Sequence, residues 1–268
     1  IRMLARRMAG ERTMISAAWS LQRAHHGEQP YWMLITLAAM LGQIGLPGGG
    51  FGFGHGSMNG VGNPRPEVVA PEMAMGANPA RRAIPVARVA DMLLDPGAEF
   101  DFNGRRERYP DIRLVYWAGG NPFHHHQDLN RLRAAWARPE TVIVHDSWWT
   151  ATARRADIVL PATTTLERND VGGSSRDRFI IAMHQAIEPI ASSRGDFDIL
   201  RELGARLGCE QAFTEGRDEM QWVRALYEHS RLANERAGID LPRFEGFWDE
   251  GYAEIPRPRE DFVLFAEF

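Results

Sequence analysis

The chain has 268 residues, 44% of them hydrophobic, which leaves room for one large domain or two small ones. Its net charge of −4 argues against general nucleic-acid binding, which usually requires a basic surface. A single cysteine, Cys209, excludes an internal disulfide and any metal cluster held by several cysteines. All 31 basic side chains are arginines, so no lysine can act as a phosphate-loop residue, a Schiff-base former or a general base.

The N-terminal residues read as the middle of a helix, without the long apolar run or cleavage site of a signal peptide. No stretch approaches the ~18 uninterrupted apolar residues of a membrane span, so we expect none. Because the chain lacks an initiator methionine and ends abruptly at Phe268, we expect both ends to be cuts in a longer protein.

The first part of the chain, residues 1–48, is predicted to be the end of a preceding α/β unit. Residues 12–19 can form a short strand, and Pro30 to Ile44 have the apolar spacing of a helix. The glycine-rich run from Gly48 to Gly56 is predicted to lie outside any regular element. It is either a surface loop or a loop lining the approach to a cofactor.

Residues 49–110 are predicted to be a loop-rich, irregular connector with one short helix near Val86–Leu94, because proline and glycine are frequent there. At the other end, residues 209–268 are predicted to be a helical extension and tail, with a helix over 218–236. The tail from Pro242 has no assignable pattern.

Residues 111–208 are predicted to form an α/β unit with a parallel, dinucleotide-binding-like (Rossmann-like) sheet and flanking helices. Buried-strand patterns at 112–118, 142–144 and 158–160 alternate with helical patterns, which is typical of such a sheet. A further strand at 179–181 and a helix over 196–207 follow, with Asp196 as a plausible helix cap.

Polar residues gather where the predicted strands end, and ligands of parallel α/β sheets bind beyond the carboxyl ends of the strands. Asp146 follows the first turn by about 25 residues, the spacing at which an acid binds a ribose in dinucleotide folds. The alternative is that Asp146 caps the next helix. Arg168 could hold a phosphate, and the backbone N–H groups near Phe123 could face an anion. The spacing therefore indicates a nucleotide site.

Other side chains in this region favour less specific interpretations. His124, His125 and His126 are consecutive and cannot all face one ion, so we predict no metal site there. Trp148 and Trp149 are more typical of a core than of a stacking platform. No G-x-S-x-G elbow is present, which argues against a hydrolase.

Several motifs, which occur in order over most of residues 12–200, resemble one family of enzymes. They include Trp19–Arg23 (WSLQR), His26–Pro30 (HGEQP), Gly120–Asn130 (GNPFHHHQDLN), His145–Ala153 (HDSWWTATA), Ala156–Thr164 (ADIVLPATT) and Glu167–Asp170 (ERND). The chain resembles an internal fragment of the dimethyl sulfoxide reductase family of molybdopterin oxidoreductases, in the branch of trimethylamine-N-oxide, dimethyl sulfoxide and biotin sulfoxide reductases.

The resemblance implies a molybdenum ion held by two molybdopterin guanine dinucleotides, and oxygen-atom transfer from S- or N-oxides. The residues that it implies contact one dinucleotide are Asn121, His125, His145, Asp146, Arg168 and Asp198. Trp19, Ser20 and Arg23 are implied to contact the other. The serine that ligates molybdenum in this family would precede residue 1, so we predict no catalytic residue and no metal ligand in this chain, and we expect the fragment alone to be inactive.

The resemblance also implies a role in anaerobic respiration in the periplasm, with a possible cytochrome as electron donor. A cytoplasmic location is the alternative, as in biotin sulfoxide reductases. Two other functions stay open on the residues alone: a nicotinamide-dependent dehydrogenase, which the missing G-x-G-x-x-G opposes, and a nucleotide-binding or structural domain without catalysis. The oxide itself is not specified, because the residues that face it would lie outside the chain.

Overall fold

The computed structural model describes residues 1–53, 68–74, 76–77, 80, 83–173, 178–256, 263 and 265–268. The chain divides into two compact units. The first comprises residues 1–72, 171–182 and 226–268, and the second comprises residues 73–170 and 183–225. The division predicted from the sequence, into residues 1–48, 49–110, 111–208 and 209–268, stays a prediction. No helix in the described ranges is long and apolar enough to cross a membrane.

The helices are α1 (Arg2–Gly10), α2 (Glu28–Met40), α3 (Val89–Leu94), α4 (Pro122–His125), α5 (Leu129–Trp136), α6 (Asp196–Arg206), α7 (Glu210–Thr214), α8 (Glu219–Arg236) and α9 (Phe244–Glu250). The strands are β1 (Met14–Ala17), β2 (Gly50–Phe53), β3 (Glu99–Phe102), β4 (Arg105–Arg108), β5 (Leu114–Ala118), β6 (Thr141–Asp146), β7 (Ile158–Pro161), β8 (Asp170–Gly172), β9 (Phe179–Met183) and β10 (Tyr252–Glu254).

In the first unit, β1 and β2 pair in parallel, with Ile15 opposite Phe51, and α2 packs against them. The predicted strand and helix are confirmed, although both are shorter than predicted. The prediction that the glycine-rich run lies outside regular structure is wrong for β2. A Cβ on Gly49 would lie 2.8 Å from the Gln43 carbonyl oxygen, so glycine is needed for this close approach before the strand starts. The part of the run after Phe53 lies outside the described residues.

The C-terminal part of the first unit is ordered around aromatic side chains. Tyr227 of α8 stacks on Phe247 of α9 at 3.9 Å and donates its hydroxyl hydrogen bond to the Pro242 carbonyl at 2.7 Å. Strand β10 then pairs with β9 in an antiparallel orientation, within a three-stranded sheet of order β10-β9-β8. The predicted helix over 218–236 is confirmed, and the tail that the sequence left unassigned forms α9 and β10.

The second unit is built on the parallel sheet β5-β6-β7. Alternate strand residues, such as Val142 and Val144, point into a core with Leu132 and Trp136 of α5 and Leu93 of α3. Burying these apolar side chains on one sheet face holds the strands in register. The predicted alternation of strands and helices in a mixed α/β fold with parallel strands is confirmed, and β6 runs on to Asp146.

Strands β3 and β4 form a hairpin in the segment predicted to be irregular. The turn is Asn103-Gly104, whose φ angles of 49° and 73° are those that Asn-Gly turns adopt readily. Inside the hairpin, Phe100 stacks on Tyr109 at 4.3 Å. The prediction of one short helix and no other regular element is therefore wrong, whereas the helix itself is confirmed as a 3-10 turn, Val86–Arg88, followed by α3.

Candidate functional site

The carboxyl ends of β5, β6 and β7 open into a cleft of about 490 Å³, a size that accommodates a small ligand. Its lining comes from Gly119–Asn121 after β5, from His145–Ser147 and Thr150 around the end of β6, from Ala162–Thr165 and Arg168 after β7, and from Asp196 in α6. Gly119 and Gly120 have φ angles of 78° and 74°, and added Cβ atoms would meet open space or only the His125 ring at 4.0 Å. The backbone can therefore approach a ligand closely there.

Four of the predicted binding residues come together in this cleft: Asn121, His145, Asp146 and Arg168. Two do not line it. His125 ends the short helix α4 and is exposed. Asp198, in the first turn of α6, forms an ion pair with Arg201 at 3.0 Å.

The other three predicted residues belong to the first unit. Trp19, Ser20 and Arg23 lie on the 3-10 turn Trp19–Arg23, which follows β1, and all three are exposed. They sit just beyond the carboxyl end of a strand that is itself paired in parallel, which is a position where ligands of parallel sheets bind.

Asp146 is engaged within its own loop. One carboxylate oxygen accepts a hydrogen bond from the Trp148 backbone N–H at 3.0 Å, and the other accepts one from the Thr150 hydroxyl at 2.6 Å. Asp146 does not cap the next helix, because the 3-10 turn Ala153–Arg155 has Thr152 as its N-cap residue and no side-chain cap hydrogen bond. Its ligand-binding role stays a prediction, which is supported by its place in the cleft lining and by the second lone pair of each oxygen.

The side chains of Asn121 and Arg168 are each oriented by hydrogen bonds within the protein, and both line the cleft. The Asn121 side-chain oxygen accepts a hydrogen bond from the Thr152 hydroxyl at 2.5 Å. Arg168 donates to the Thr163 carbonyl at 3.0 Å and to the Asp170 carboxylate at 3.3 Å. These contacts place an amide group and a guanidinium at the cleft in fixed orientations.

The loop after β7 is organised by Glu167, to which the sequence analysis assigned no role although it begins the ERND motif. Its buried carboxylate accepts hydrogen bonds from the Thr164 backbone N–H at 2.7 Å and the Ile190 backbone N–H at 2.6 Å. The Thr164 hydroxyl adds a third at 2.7 Å. These donors, the Thr164 N–H first, lower the pKa of Glu167 to about 2. Glu167 therefore fixes the loop that carries Thr163 and Arg168.

His145 is buried and uses both ring nitrogens. Nδ1 lies 2.7 Å from the Asp196 carboxylate, and Nε2 lies 2.5 Å from the Tyr116 hydroxyl. Burial, followed by the charge of Asp196, raises the pKa of Tyr116, so its hydroxyl keeps its proton. The prediction that Asp196 caps the helix is wrong, because Gly195 is the N-cap residue and Asp196 is the first helical residue. Sequence reasoning could not find the pair with His145, which joins residues 51 apart.

Thr163 also faces the cleft, and its hydroxyl is buried without a hydrogen-bond partner in the part of the chain that the structure describes. Buried polar atoms are usually paired, so this hydroxyl is a candidate donor or acceptor for a ligand.

The two tryptophans that were predicted to lie in a core are exposed instead, Trp148 by 72% and Trp149 by 68%. That prediction is wrong because these rings project from the loop after β6.

The described residues include no group of three His, Cys, Asp or Glu side chains that could hold a metal ion. Taken together, the cleft offers a cation, two carboxylates, an amide and flexible glycine backbone around a volume fit for a nucleotide.

Comparison with known proteins relates the chain to one family. A family model described as molybdopterin oxidoreductase matches residues 3–206. A biotin sulfoxide reductase from Cereibacter sphaeroides is 55% identical over 99% of this chain and 36% of that protein. A dimethyl sulfoxide/trimethylamine N-oxide reductase from Rhodobacter capsulatus is 48% identical over 100% of this chain and 34% of that protein. A trimethylamine-N-oxide reductase from Salmonella typhi is 46% identical over 97% of this chain and 32% of that protein. The chain thus spans about a third of the length of the curated relatives it matches.

Proposed function

The chain belongs to the molybdopterin oxidoreductase family, and on that premise we propose that it is the cofactor-binding part of a molybdenum enzyme that reduces S- or N-oxides. One observation carries the proposal. The cleft at the carboxyl ends of β5, β6 and β7 lies in the stretch that matches the family model, and its polar residues suit a nucleotide. Relatives named for biotin sulfoxide, dimethyl sulfoxide and trimethylamine N-oxide suggest the class of substrate.

The cofactor that we propose is the bis(molybdopterin guanine dinucleotide) form of molybdenum, with one dinucleotide bound in a Rossmann-like manner by the second unit. The fit rests on the donors and acceptors of the cleft, and above all on the buried Thr163 hydroxyl, which has no hydrogen-bond partner among the described residues. When bound, this cofactor supplies oxygen-atom transfer, and the protein supplies orientation and electrostatics.

The cleft residues have separate roles in this proposal. The Arg168 guanidinium, held by the Thr163 carbonyl and Asp170, binds a phosphate. Asp146 accepts hydrogen bonds from the ribose or the guanine edge, and Asn121 donates from its side-chain amide. His125 and Asp198 are proposed contacts that would reach the ligand from just outside the described lining.

We further propose that Trp19, Ser20 and Arg23 contact the second dinucleotide. Their place beyond the carboxyl end of β1, in the first unit, supports this assignment. We assign no catalytic residue and no molybdenum ligand to this chain.

The activity is tested on the full-length protein, purified with its cofactor and assayed with a chemically reduced viologen dye. We expect dye oxidation to depend on an added oxide, tested separately with trimethylamine N-oxide, dimethyl sulfoxide and biotin sulfoxide. If protein that contains molybdenum oxidises the dye with none of the three oxides, the proposal is contradicted. We also propose a periplasmic location and a cytochrome as electron donor. Cell fractionation checks the location, and recovery of the protein with a cytoplasmic marker would contradict a periplasmic location.

A further inference from the structure

Three side chains form a continuous chain of hydrogen bonds at the edge of the cleft: Tyr116 of β5, His145 of β6 and Asp196 of α6. We propose that Asp196 is a ligand-binding carboxylate of this cleft, which accepts hydrogen bonds from the uncharged N–H or O–H donors of the nucleoside. In this proposal, His145 and Tyr116 are positioning residues that act through Asp196. The inference rests on the proposed function for the identity of the ligand.

The His145 ring cannot reach the ligand through its nitrogens while this chain of hydrogen bonds is intact. An ionised carboxylate can only accept hydrogen bonds, so the Nδ1–H group of His145 donates the hydrogen bond to Asp196. In the neutral ring, Nε2 is then an acceptor, and the Tyr116 hydroxyl donates to it. Both ring nitrogens are thus committed, and the 4% exposure of His145 leaves it as an internal support.

Of the two carboxylates that line the cleft, Asp196 is more available to a ligand than Asp146. Its side chain is 49% exposed and lines the cleft. His145 holds one of its oxygens, and the other has no partner among the residues that the structure describes. Asp146 differs, because its two oxygens are bound within its own loop at 3.0 Å and 2.6 Å. A ligand donor therefore meets less competition at Asp196 than at Asp146.

A second observation at the same wall of the cleft points to a ligand. The Thr163 hydroxyl is unpaired among the described residues, and Thr163 itself is only 4% exposed. The Thr163 backbone N–H donates to the Arg194 carbonyl at 3.0 Å, and Arg194 is two residues before Asp196. The unsatisfied hydroxyl and the open carboxylate thus belong to adjoining segments, as expected if one ligand bonds to both.

The charges around the cleft indicate which part of the nucleotide binds near Asp196 and which part binds near Arg168. In the described part of the chain, the only ion-pair partner of Asp196 is His145, so its negative charge is not neutralised by an arginine. A phosphate would be repelled there and would be attracted to Arg168 on the loop after β7. Asp196 is therefore suited to the nucleoside, and the donors that it can accept are the ribose hydroxyls and the base N–H groups.

The test measures nucleotide binding by titration calorimetry on the full-length, cofactor-free protein. The three probes are GDP, 2′,3′-dideoxy-GDP, which lacks the ribose hydroxyls, and ADP, whose base lacks the N1–H and 2-amino donors. For Asp196→Asn, which keeps the side-chain size, we expect the affinity for GDP to fall about 10-fold, as for loss of a hydrogen bond to a charged group. If Asp196 binds the ribose hydroxyls, the same substitution should change the affinity for 2′,3′-dideoxy-GDP less than about 2-fold. If Asp196 binds the guanine N–H groups, the affinity for ADP should change less than about 2-fold instead.

Tyr116→Phe removes only the outer member of the chain of hydrogen bonds, and we expect a smaller loss with the same dependence on the probe. Glu210→Gln, the same change of charge in the first turn of α7, is the matched control and should bind all three nucleotides as the wild type does. A structural role would instead lower the affinity for every probe equally. Equal losses for all three probes, or no loss with Asp196→Asn, would overturn the inference. A wild-type protein that fails to bind GDP would overturn the proposed function as well.

Discussion

Asp146 has a structural role in its own loop, and we propose a binding role for it as well. It holds the Trp148 backbone N–H and the Thr150 hydroxyl, and it also lines the cleft. We predict that Asp146→Ala lowers the free energy of unfolding by about 1–2 kcal/mol, since a hydrogen bond to a charged group contributes roughly that much when partly exposed. We also predict a loss of GDP affinity, measured by calorimetry beside urea unfolding.

Asp157 offers a matched comparison, because its carboxylate accepts the Val142 backbone N–H at 2.8 Å and does not line the cleft. Asp157→Ala should cost a similar free energy of unfolding and leave GDP affinity unchanged. If both variants lose affinity equally, the ligand-binding role of Asp146 is wrong and its role is structural.

Glu167 links the order of the loop after β7 to pH. Its pKa in the folded protein is about 2, below the ordinary value of 4.5, because backbone N–H groups bind the ionised form. Its contribution to stability is therefore complete above about pH 4.5 and is lost as the pH falls towards 2. We predict that Glu167→Gln is less stable than the wild type near neutral pH and that the difference shrinks across this acidic range.

Urea unfolding at a series of pH values measures this difference. Glu188→Gln, an exposed position on the segment that follows β9, serves as the control. A difference between Glu167→Gln and the wild type that stays constant with pH would show that the buried carboxylate does not stabilise the loop through its charge.

The elements of the second unit could largely be predicted from the sequence, whereas several others could not. Strands β5, β6 and β7 could be recognised by their short apolar runs, and alternate residues of these runs pack into the core with α3 and α5. Strand β2 was missed because Gly49 and Gly50, at its start, approach Gln43 closely, and only the fold reveals this contact. The hairpin of β3 and β4 was missed because charged residues dominate its second strand, although the Asn-Gly pair is itself a strong turn signal.

The hairpin turn gives a direct test at this scale. Gly104 has a φ of 73°, and an added Cβ would meet nothing within 4 Å, so only backbone strain opposes a side chain there. We predict that Gly104→Ala destabilises the hairpin by about 1 kcal/mol. Gly10→Ala is the control, since Gly10 ends α1 with the same open surroundings and without a positive φ. It should not lower the stability, because alanine favours a helix more than glycine does. Equal effects of the two substitutions in thermal unfolding would contradict the argument from strain.

At the scale of the whole molecule, the sequence predicted the family and the position of the cleft better than the contacts inside it. Ordered motifs identified the family, and the alternation of strands and helices indicated where the cleft lies. The Tyr116, His145 and Asp196 contacts could not be predicted, because they join side chains from separate elements whose proximity depends on the folded sheet. The chain covers about a third of its relatives, so the cleft is one part of the proposed enzyme.

The most direct test of the central proposal is the cofactor content of the full-length protein. Molybdenum is measured by mass spectrometry, and GMP is measured after acid hydrolysis, for the wild type, for Arg168→Ala and for the control Arg133→Ala on the exposed surface of α5. We predict two GMP per molybdenum in the wild type and in the control, and a marked loss of both in Arg168→Ala, which lacks the guanidinium at the cleft. Wild-type protein with molybdenum but no GMP, or full cofactor content in Arg168→Ala, would contradict the assignment of this cleft to a guanine dinucleotide.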